Sequence, residues 1–367
     1  MSHLKRILCP VDMSHGSAES LRYGLALARA YRAELYLCHC IESATAADSR
    51  SPSSTRHIQA ALEAMFNEQA GGDDLAEVEW KAMVVEGSAH PSEMISRVAA
   101  ENGVDLIVIR SRRRPRAAAL LGSTAEALCR TAPCPVLVTH PREREWVGES
   151  AREINLRKVL VAYDFSDDSE LALRRGLSLA QEYGAELHLL HVLAKPSDDA
   201  PEVAWLPAGM EGIYQKAARR LQEAVSAEFS PPESGTVKCA VRWGKPYREI
   251  LSYAVEQEFD LICMGAHGAE HGMSALFGSN VDRVLRQAPC PLLVARPLKP
   301  ATFVRHDTKT TSGKAGVGQR VAACRVRRSE LSLVAGRVRS RNTRFGFLKS
   351  GNRRRDAVRR AGSGVVR

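Results

Sequence analysis

The chain repeats itself once, at the spacing of a whole domain. Ile7-Leu-Cys-Pro-Val-Asp12-Met-Ser14 returns as Val159-Leu-Val-Ala-Tyr-Asp164-Phe-Ser166. Leu25-Ala-Leu-Ala-Arg-Ala-Tyr-Arg-Ala-Glu-Leu35 returns as Leu177-Ser-Leu-Ala-Gln-Glu-Tyr-Gly-Ala-Glu-Leu187. Asp105-Leu-Ile-Val-Ile109 matches Asp260-Leu-Ile-Cys-Met264, and Ala132-Pro-Cys-Pro-Val-Leu-Val138 matches Ala288-Pro-Cys-Pro-Leu-Leu-Val294. Asp12 and Asp164 are 152 positions apart, Asp105 and Asp260 are 155, Ala132 and Ala288 are 156. So small a drift over so long a period excludes a solenoid and requires one fold built twice.

Within each copy, short apolar runs alternate with helical periodicity. In the second copy strands are expected near 157–163, 186–192, 236–242, 260–264 and 291–295, and helices near 168–183, 209–229, 246–257 and 278–287. The strand runs lack strict polar–apolar alternation, as in a parallel sheet covered on both faces. Pro91 and Pro246 suit the first turn of a helix, where a missing N–H costs nothing. The pattern predicts an α/β protein of two tandem, doubly wound, five-stranded parallel-sheet domains, Rossmann-like in layout. Ligands in such sheets sit beyond the C-terminal ends of the strands.

One segment carries the chemistry. Gly265-Ala-His-Gly268, nine residues, then Gly278-Ser279-Asn280 follows the fourth strand of the second copy and opens a helix. Glycines let the backbone approach an anion, and a helix start offers unpaired N–H groups at the positive end of its dipole. The alternative is a tight turn at Gly265 and Gly268 with Ser279 as an ordinary helix cap. In the first copy Arg110 and Arg113 stand at the two glycine positions, inside Arg110-Ser-Arg-Arg-Arg-Pro-Arg116, and Pro115 has no N–H to offer. That loop reads as a solvated basic segment on a site that lost its ligand; five arginines holding a phosphorylated ligand by side chains is the second reading. Gly122-Ser123 survives there as a helix start, and Asp12 remains.

These motifs resemble the universal stress protein family in tandem two-domain form, over roughly residues 3–298. The G-x-x-G, nine residues, G-(S/T/N) spacing, the aspartate ending the first strand and the Ala-Pro-Cys-Pro ending together carry the resemblance. It implies the adenine nucleotide α-hydrolase-like variant of the doubly wound fold, and ATP, with or without Mg²⁺, as ligand. Gly265, Gly268, Gly278, Ser279 and Asn280 would hold the phosphates. Asp164 would hold the ribose or adenine end, and the backbone of Val192, at the end of the second strand, would read adenine; Cys40 takes the Val192 position in the first copy. The resemblance also implies pairing through the last strands, 135–139 and 291–295, either within the chain as a pseudo-dimer or between copies as a homodimer.

The expected boundaries are 1–140 for the first domain, 141–156 for a linker, 157–298 for the second domain, and 299–367 for a basic, disordered tail outside the resemblance. Of the formal charge of +10, residues 301–367 hold 18 basic and 3 acidic residues, so the body is mildly acidic and nucleic-acid binding is not expected of it. For the tail two readings stand: a basic segment that holds nucleic acid or other acidic surfaces non-specifically, and a non-native extension or shifted reading frame. No run reaches the length of a membrane span, no secretory signal is visible, and the nine cysteines include no CxxC pair, which together suggest a reducing cytoplasm.

Other motifs read as structural. Cys38-His39-Cys40 looks like a metal cluster, but in a strand His39 points away from both cysteines, so core packing is expected. His267 and His271 read as exposed loop histidines, with no carboxylate partner at usable spacing. Gly244-Lys245-Pro246 lacks the remainder of a phosphate loop and reads as a turn into a helix. No general base, arginine finger or Mg²⁺ carboxylate set is apparent. The function expected is therefore an ATP-binding stress-response regulator or sensor with weak hydrolysis at most. A nucleotide-independent scaffold is the alternative. An adenylating enzyme ranks low, because Asp164-Phe-Ser-Asp-Asp replaces the loop it would need.

Overall fold

The computed structural model describes residues 4–42, 52–71, 78–111, 122–140, 144–194, 208–228, 237–268, 278–298 and 321–325. The first half runs β1 (Arg6–Pro10), α1 (His15–Tyr31), β2 (Glu34–Glu42), α2 (Pro52–Ala70), β3 (Trp80–Gly87), α3 (Pro91–Glu101), β4 (Leu106–Arg110), α4 (Ser123–Thr131) and β5 (Val136–Thr139). The second runs β6 (Lys158–Ala162), α5 (Asp167–Tyr183), β7 (Glu186–Leu193), α6 (Ala208–Glu228), β8 (Val237–Trp243), α7 (Pro246–Glu256), β9 (Leu261–Gly265), α8 (Ser279–Gln287) and β10 (Leu292–Ala295). Every strand and helix expected in the second half is present, within two residues of its expected ends.

Strand order is β3-β2-β1-β4-β5 in one half and β8-β7-β6-β9-β10 in the other, all parallel within a half. Successive strand residues feed opposite cores. Ile7 and Cys9 join the layer under α1 and α2, while Leu8 joins the layer under α3 and α4; Val159, Leu160 and Val161 divide the same way. Each half starts its first strand on a carboxylate. Asp105 Oδ2 accepts from the Lys5 and Arg6 N–H groups at 2.8 and 3.0 Å, and Asp260 Oδ2 from those of Arg157 and Lys158, both at 2.9 Å.

The last strands pair antiparallel, with Leu137 opposite Leu293, so the two halves share one sheet. Side chains seal the joint reciprocally. Arg296, after β10, donates to the Cys129 carbonyl of α4 at 2.8 Å, and His140, after β5, bonds the Leu285 carbonyl of α8 at 2.8 Å. The segment expected as a linker is docked where it is described. Trp146 is buried edge-on to Tyr23, and Arg29 donates to the carbonyls of Ser150 and Ala151. Within the tail, residues 321–325 form β11 (Val321–Arg325), antiparallel to β3. The chain divides into Met1–Val326 and Arg327–Arg367, and the second unit lies wholly outside the described residues.

Helix α5 ends on Gly184 in the left-handed region (φ 64°), and α1 ends at the equivalent position on Arg32 (φ 53°). A side chain is strained there and glycine is not. Arg32→Gly is expected to raise stability by about 0.5–1 kcal/mol, less than the local strain because glycine also loosens the unfolded chain. A urea unfolding midpoint checks it.

Candidate functional site

Residue Asp164 lies two positions beyond β6, and β6 lies beside β9, so the aspartate and the glycine segment meet at the C-terminal edge of the sheet. Its Oδ1 accepts from the Ser166 N–H at 3.1 Å and the Ser166 hydroxyl at 2.5 Å. Between them Phe165 is left-handed (φ 65°), and Met13 repeats this after Asp12 (φ 61°). Left-handed backbone at a bulky residue is uncommon and concentrates at functional loops. No local residue type signals it in the sequence.

The glycines have different roles. A Cβ on Gly265 would fall 2.6 Å from the carbonyl carbon of Asp168 and 2.8 Å from its oxygen. The first turn of α5 therefore rests on the end of β9, and packing alone demands glycine here. A Cβ on Gly268 would instead fall 2.9 Å from Asp164 Oδ2, in the gap between the loop and the carboxylate. Gly278 donates its N–H to the Ala266 carbonyl at 3.2 Å, and a Cβ there would lie 3.8 Å from Gly268 N. Gly268, Gly278 and Asp164 thus converge, with nine residues of the loop, 269–277, outside the described residues.

Helix α8 takes Gly278, not Ser279, as its N-cap (φ −59°, ψ 128°), and Gly278 has no side chain to cap it. This corrects the alternative reading of Ser279 as a cap. Ser279 and Asn280 occupy the first turn, whose N–H groups have no carbonyl partner inside a helix. Val192 lies in β7. Leu190, two residues earlier, gives its carbonyl to the Tyr163 N–H at 2.8 Å. Alternate residues of a parallel strand turn both backbone groups to the same neighbour, so Val192 directs its pair past the last paired residue of β6, Ala162. The neighbouring His191 donates from Nδ1 to the Tyr163 carbonyl at 2.8 Å and packs its ring 4.7 Å from that of Phe165. Burial holds its pKa below the usual histidine value. Arg220 of α6 covers the Phe165 ring at 3.7 Å.

The expectation that His267 lacks a carboxylate partner is wrong. Asp168, from the first turn of α5, accepts from the His267 N–H at 3.0 Å and bonds its Nδ1 at 2.8 Å. The pair is 99 residues apart in sequence, beyond the reach of spacing arguments. His271 lies outside the described residues. His39 does face away from both cysteines, donating Nδ1 to the Val11 carbonyl at 2.8 Å. Gly244-Lys245-Pro246 does open α7, with Pro246 in its first turn.

The first half replaces this arrangement by a size exchange. Arg110 holds the Gly265 position, and Gly16 holds the Asp168 position. The Arg110 stem lies over Gly16, where a Cβ would meet Cδ at 3.0 Å and Nε at 3.1 Å. Its guanidinium pairs with Glu19, and the Arg110 side chain is only 13% exposed, against 45% for that of Glu19. Helix α4 still starts on Gly122 with φ −63° and ψ 127°, close to the values at Gly278. Arg113 and Pro115 lie outside the described residues. The exchange was visible in the aligned copies, as Gly/Asp against Arg/Gly, and was the one available signal for Asp168.

Among the described residues no cluster of three or more metal-ligating side chains occurs, and no helix is long and apolar enough to cross a membrane. A model of the universal stress protein family matches residues 3–140 and again 155–296. A universal stress protein of Methanocaldococcus jannaschii is 32% identical over 149 residues, which is 39% of this chain and 84% of that protein. A universal stress protein E homolog of Haemophilus influenzae is 26% identical over 236 residues, 61% of this chain and 72% of that one. The solved structure of a universal stress protein from Archaeoglobus fulgidus shares the fold at a TM-score of 0.56 and 24% identity, covering 81% of this chain and all of that one. With two successive family matches spanning most of its length, the chain belongs to the universal stress protein family.

Proposed function

We propose that the second half binds ATP and that the protein is a cytoplasmic stress-response regulator rather than a dedicated enzyme. The observation that carries this reading is the meeting of Gly268, Gly278 and the glycine-capped first turn of α8 beside Asp164. The N–H groups of Ser279 and Asn280, with the Ser279 hydroxyl, hold phosphate oxygens, which the helix dipole also favours. Gly268 leaves the room that the phosphates need. Gly265 contributes by letting α5 close on β9. Asp164 takes the ribose, and the Val192 backbone pair takes the adenine edge. Mg²⁺ would come bound to the phosphates, since the described residues offer no separate carboxylate set. The halves act as an intrachain pseudo-dimer across β5 and β10, and only one of them is competent.

Titration of the full chain with ATP by calorimetry tests this. One site per chain is expected. Gly268→Val fills the gap against Asp164, where among the described residues a Cβ meets the carboxylate Oδ2 at 2.9 Å and no backbone atom. It is expected to weaken binding at least tenfold, about 1.4 kcal/mol, and to change the unfolding midpoint little. No binding to the unsubstituted chain at millimolar ATP would remove the nucleotide reading and leave the scaffold. Two sites per chain would show that the Arg110 half also takes nucleotide.

A further inference from the structure

One charged contact ties α5 to the loop after β9, and the first half lacks both of its partners. Asp168 Oδ2, in the first turn of α5, accepts from the His267 N–H at 3.0 Å and bonds the ring Nδ1 at 2.8 Å. In the aligned first half Gly16 takes the place of Asp168 and Arg112 that of His267. The contact therefore accompanies the copy that keeps Gly265 and Gly268. It also lies where that copy's crevice opens, since the next residue after His267 is Gly268, which faces Asp164.

The contact decides which ring nitrogen carries the proton. An ionised carboxylate can only accept, so Nδ1 must donate, and a neutral His267 keeps its proton there. The two nitrogens of an imidazole point to opposite sides of the ring. Nε2 therefore faces away from α5, and among the described residues it has no hydrogen-bond partner. The His267 side chain is 33% exposed, so that edge of the ring is open to a ligand. A neutral ring fixed in this way presents a lone pair at Nε2, which phosphate oxygens repel. A protonated ring presents an N–H there, a charge-assisted donor to phosphate.

The charges around the loop set the need for that cation. Helix α5 brings Asp167 and Asp168 in its first turn, and Asp164 follows β6 with its Oδ2 against Gly268. Asp282, in the first turn of α8, is turned onto Arg286, and Arg283 of the same helix stacks on Tyr247. Arg296, after β10, is buried in the field of Asp168 and donates to the Cys129 carbonyl. A polyphosphate at this rim meets Asp164, Asp167 and Asp168 together, and like charges repel. We propose, resting on the ATP reading of the crevice, that His267 is a phosphate ligand which must take up a proton to bind, and that Asp168 is the positioning residue which imposes this by fixing the tautomer. The proton comes from solvent and sits on Nε2, between the ring and a phosphate oxygen. ATP is then held most tightly with His267 charged, so affinity is greatest at low pH and is lost as pH rises through the histidine range. Nucleotide loading thereby responds to pH in the second half alone.

Calorimetric titration of the full chain with ATP, repeated in buffers of different ionisation enthalpy, counts the protons. At about pH 7.5, where an ordinary histidine is mostly neutral, uptake of at least about half a proton per bound ATP is expected. His267→Gln keeps a polar side chain that cannot be charged. It is expected to abolish the uptake and to weaken binding about tenfold. Asp168→Ala frees the ring to carry its proton on Nε2, so uptake should fall by more than about half while ATP still binds. Asp168→Asn keeps an acceptor for Nδ1 and should retain the uptake. If Asp168 only ties down the loop, both Asp168 variants shift affinity equally at every pH and leave the uptake in place, which overturns the proposal. Unchanged uptake in His267→Gln overturns it as well, whatever Asp168→Ala does to the fold. ATP binding to the unsubstituted chain without proton uptake overturns this proposal and leaves the ATP reading standing. No ATP binding at all removes both.

Discussion

Gly265→Val is expected to cost the fold about 3 kcal/mol, whether or not ATP is present. The new Cβ would lie 2.6 Å from the carbonyl carbon of Asp168 and 2.7 Å from its Cβ. Two of the three nearest atoms are backbone in the first turn of α5, so no rotamer change relieves the contact. Either α5 lifts from β9 or β9 bends away from β10, and each opens a buried layer that includes Ala172, Leu173 and Val161. The Arg110 half shows what tolerance requires: there the residue opposite is Gly16, with no Cβ of its own. Gly265→Val combined with Asp168→Gly should accordingly cost less than the sum of the two single losses, by about 1 kcal/mol, because the side-chain share of the clash is removed while Asp168→Gly alone forfeits the His267 bonds. Urea unfolding of the single and double variants, without ligand, measures both. A Gly265→Val midpoint within about 0.5 kcal/mol of the parent would mean that α5 moves freely. The contrast with Gly268→Val matters for the ligand reading. One glycine serves packing and the other serves the crevice, so substituting both together would confuse lost binding with lost folding.

The architecture was legible because the repeat and the apolar runs are local signals. Strand, helix and crossover follow from periodicity, and the C-terminal sheet edge follows from the crossovers. The pairing of β5 with β10 came from family resemblance and not from the runs themselves, since Val136–Thr139 and Leu292–Ala295 read as buried strands with no indication of direction. At the site, the glycine spacing pointed to the segment but could not divide labour among the glycines. Gly265 against Asp168 and Gly268 against Asp164 are contacts between residues about a hundred positions apart, set by how α5 and β6 lie beside β9. His267 was misread for the same reason, its partner being supplied by another element. The tail strand β11 was missed because Val321-Ala-Ala-Cys-Arg325 is short, lies amid basic residues and draws its order from the edge of β3.

Gly24→Ala should be the most damaging single methyl group in the first half, at about 2–3 kcal/mol. Helix α1 crosses β1 so closely that the added carbon would sit 2.2 Å from Cys9 Sγ, and Cys9 is fully buried. The second half keeps the same approach, with Gly176 of α5 placing its absent Cβ 2.7 Å from Val161 Cγ2. Both crossings fix how far the first helix of each half stands from its sheet. They therefore fix the start of that helix, where Met13 and Phe165 are held left-handed at the C-terminal edge of the sheet. A size exchange checks whether the contact itself is responsible. Cys9→Ala removes the sulfur and should cost about 1 kcal/mol by leaving a small void. If the crossing distance is the constraint, adding Gly24→Ala to Cys9→Ala should cost almost nothing more, a coupling of about 2 kcal/mol between the two sites. Strict additivity of the two losses in denaturant unfolding would locate the cost of Gly24→Ala elsewhere in α1. Helix–sheet spacing would then not set the geometry at the start of α1.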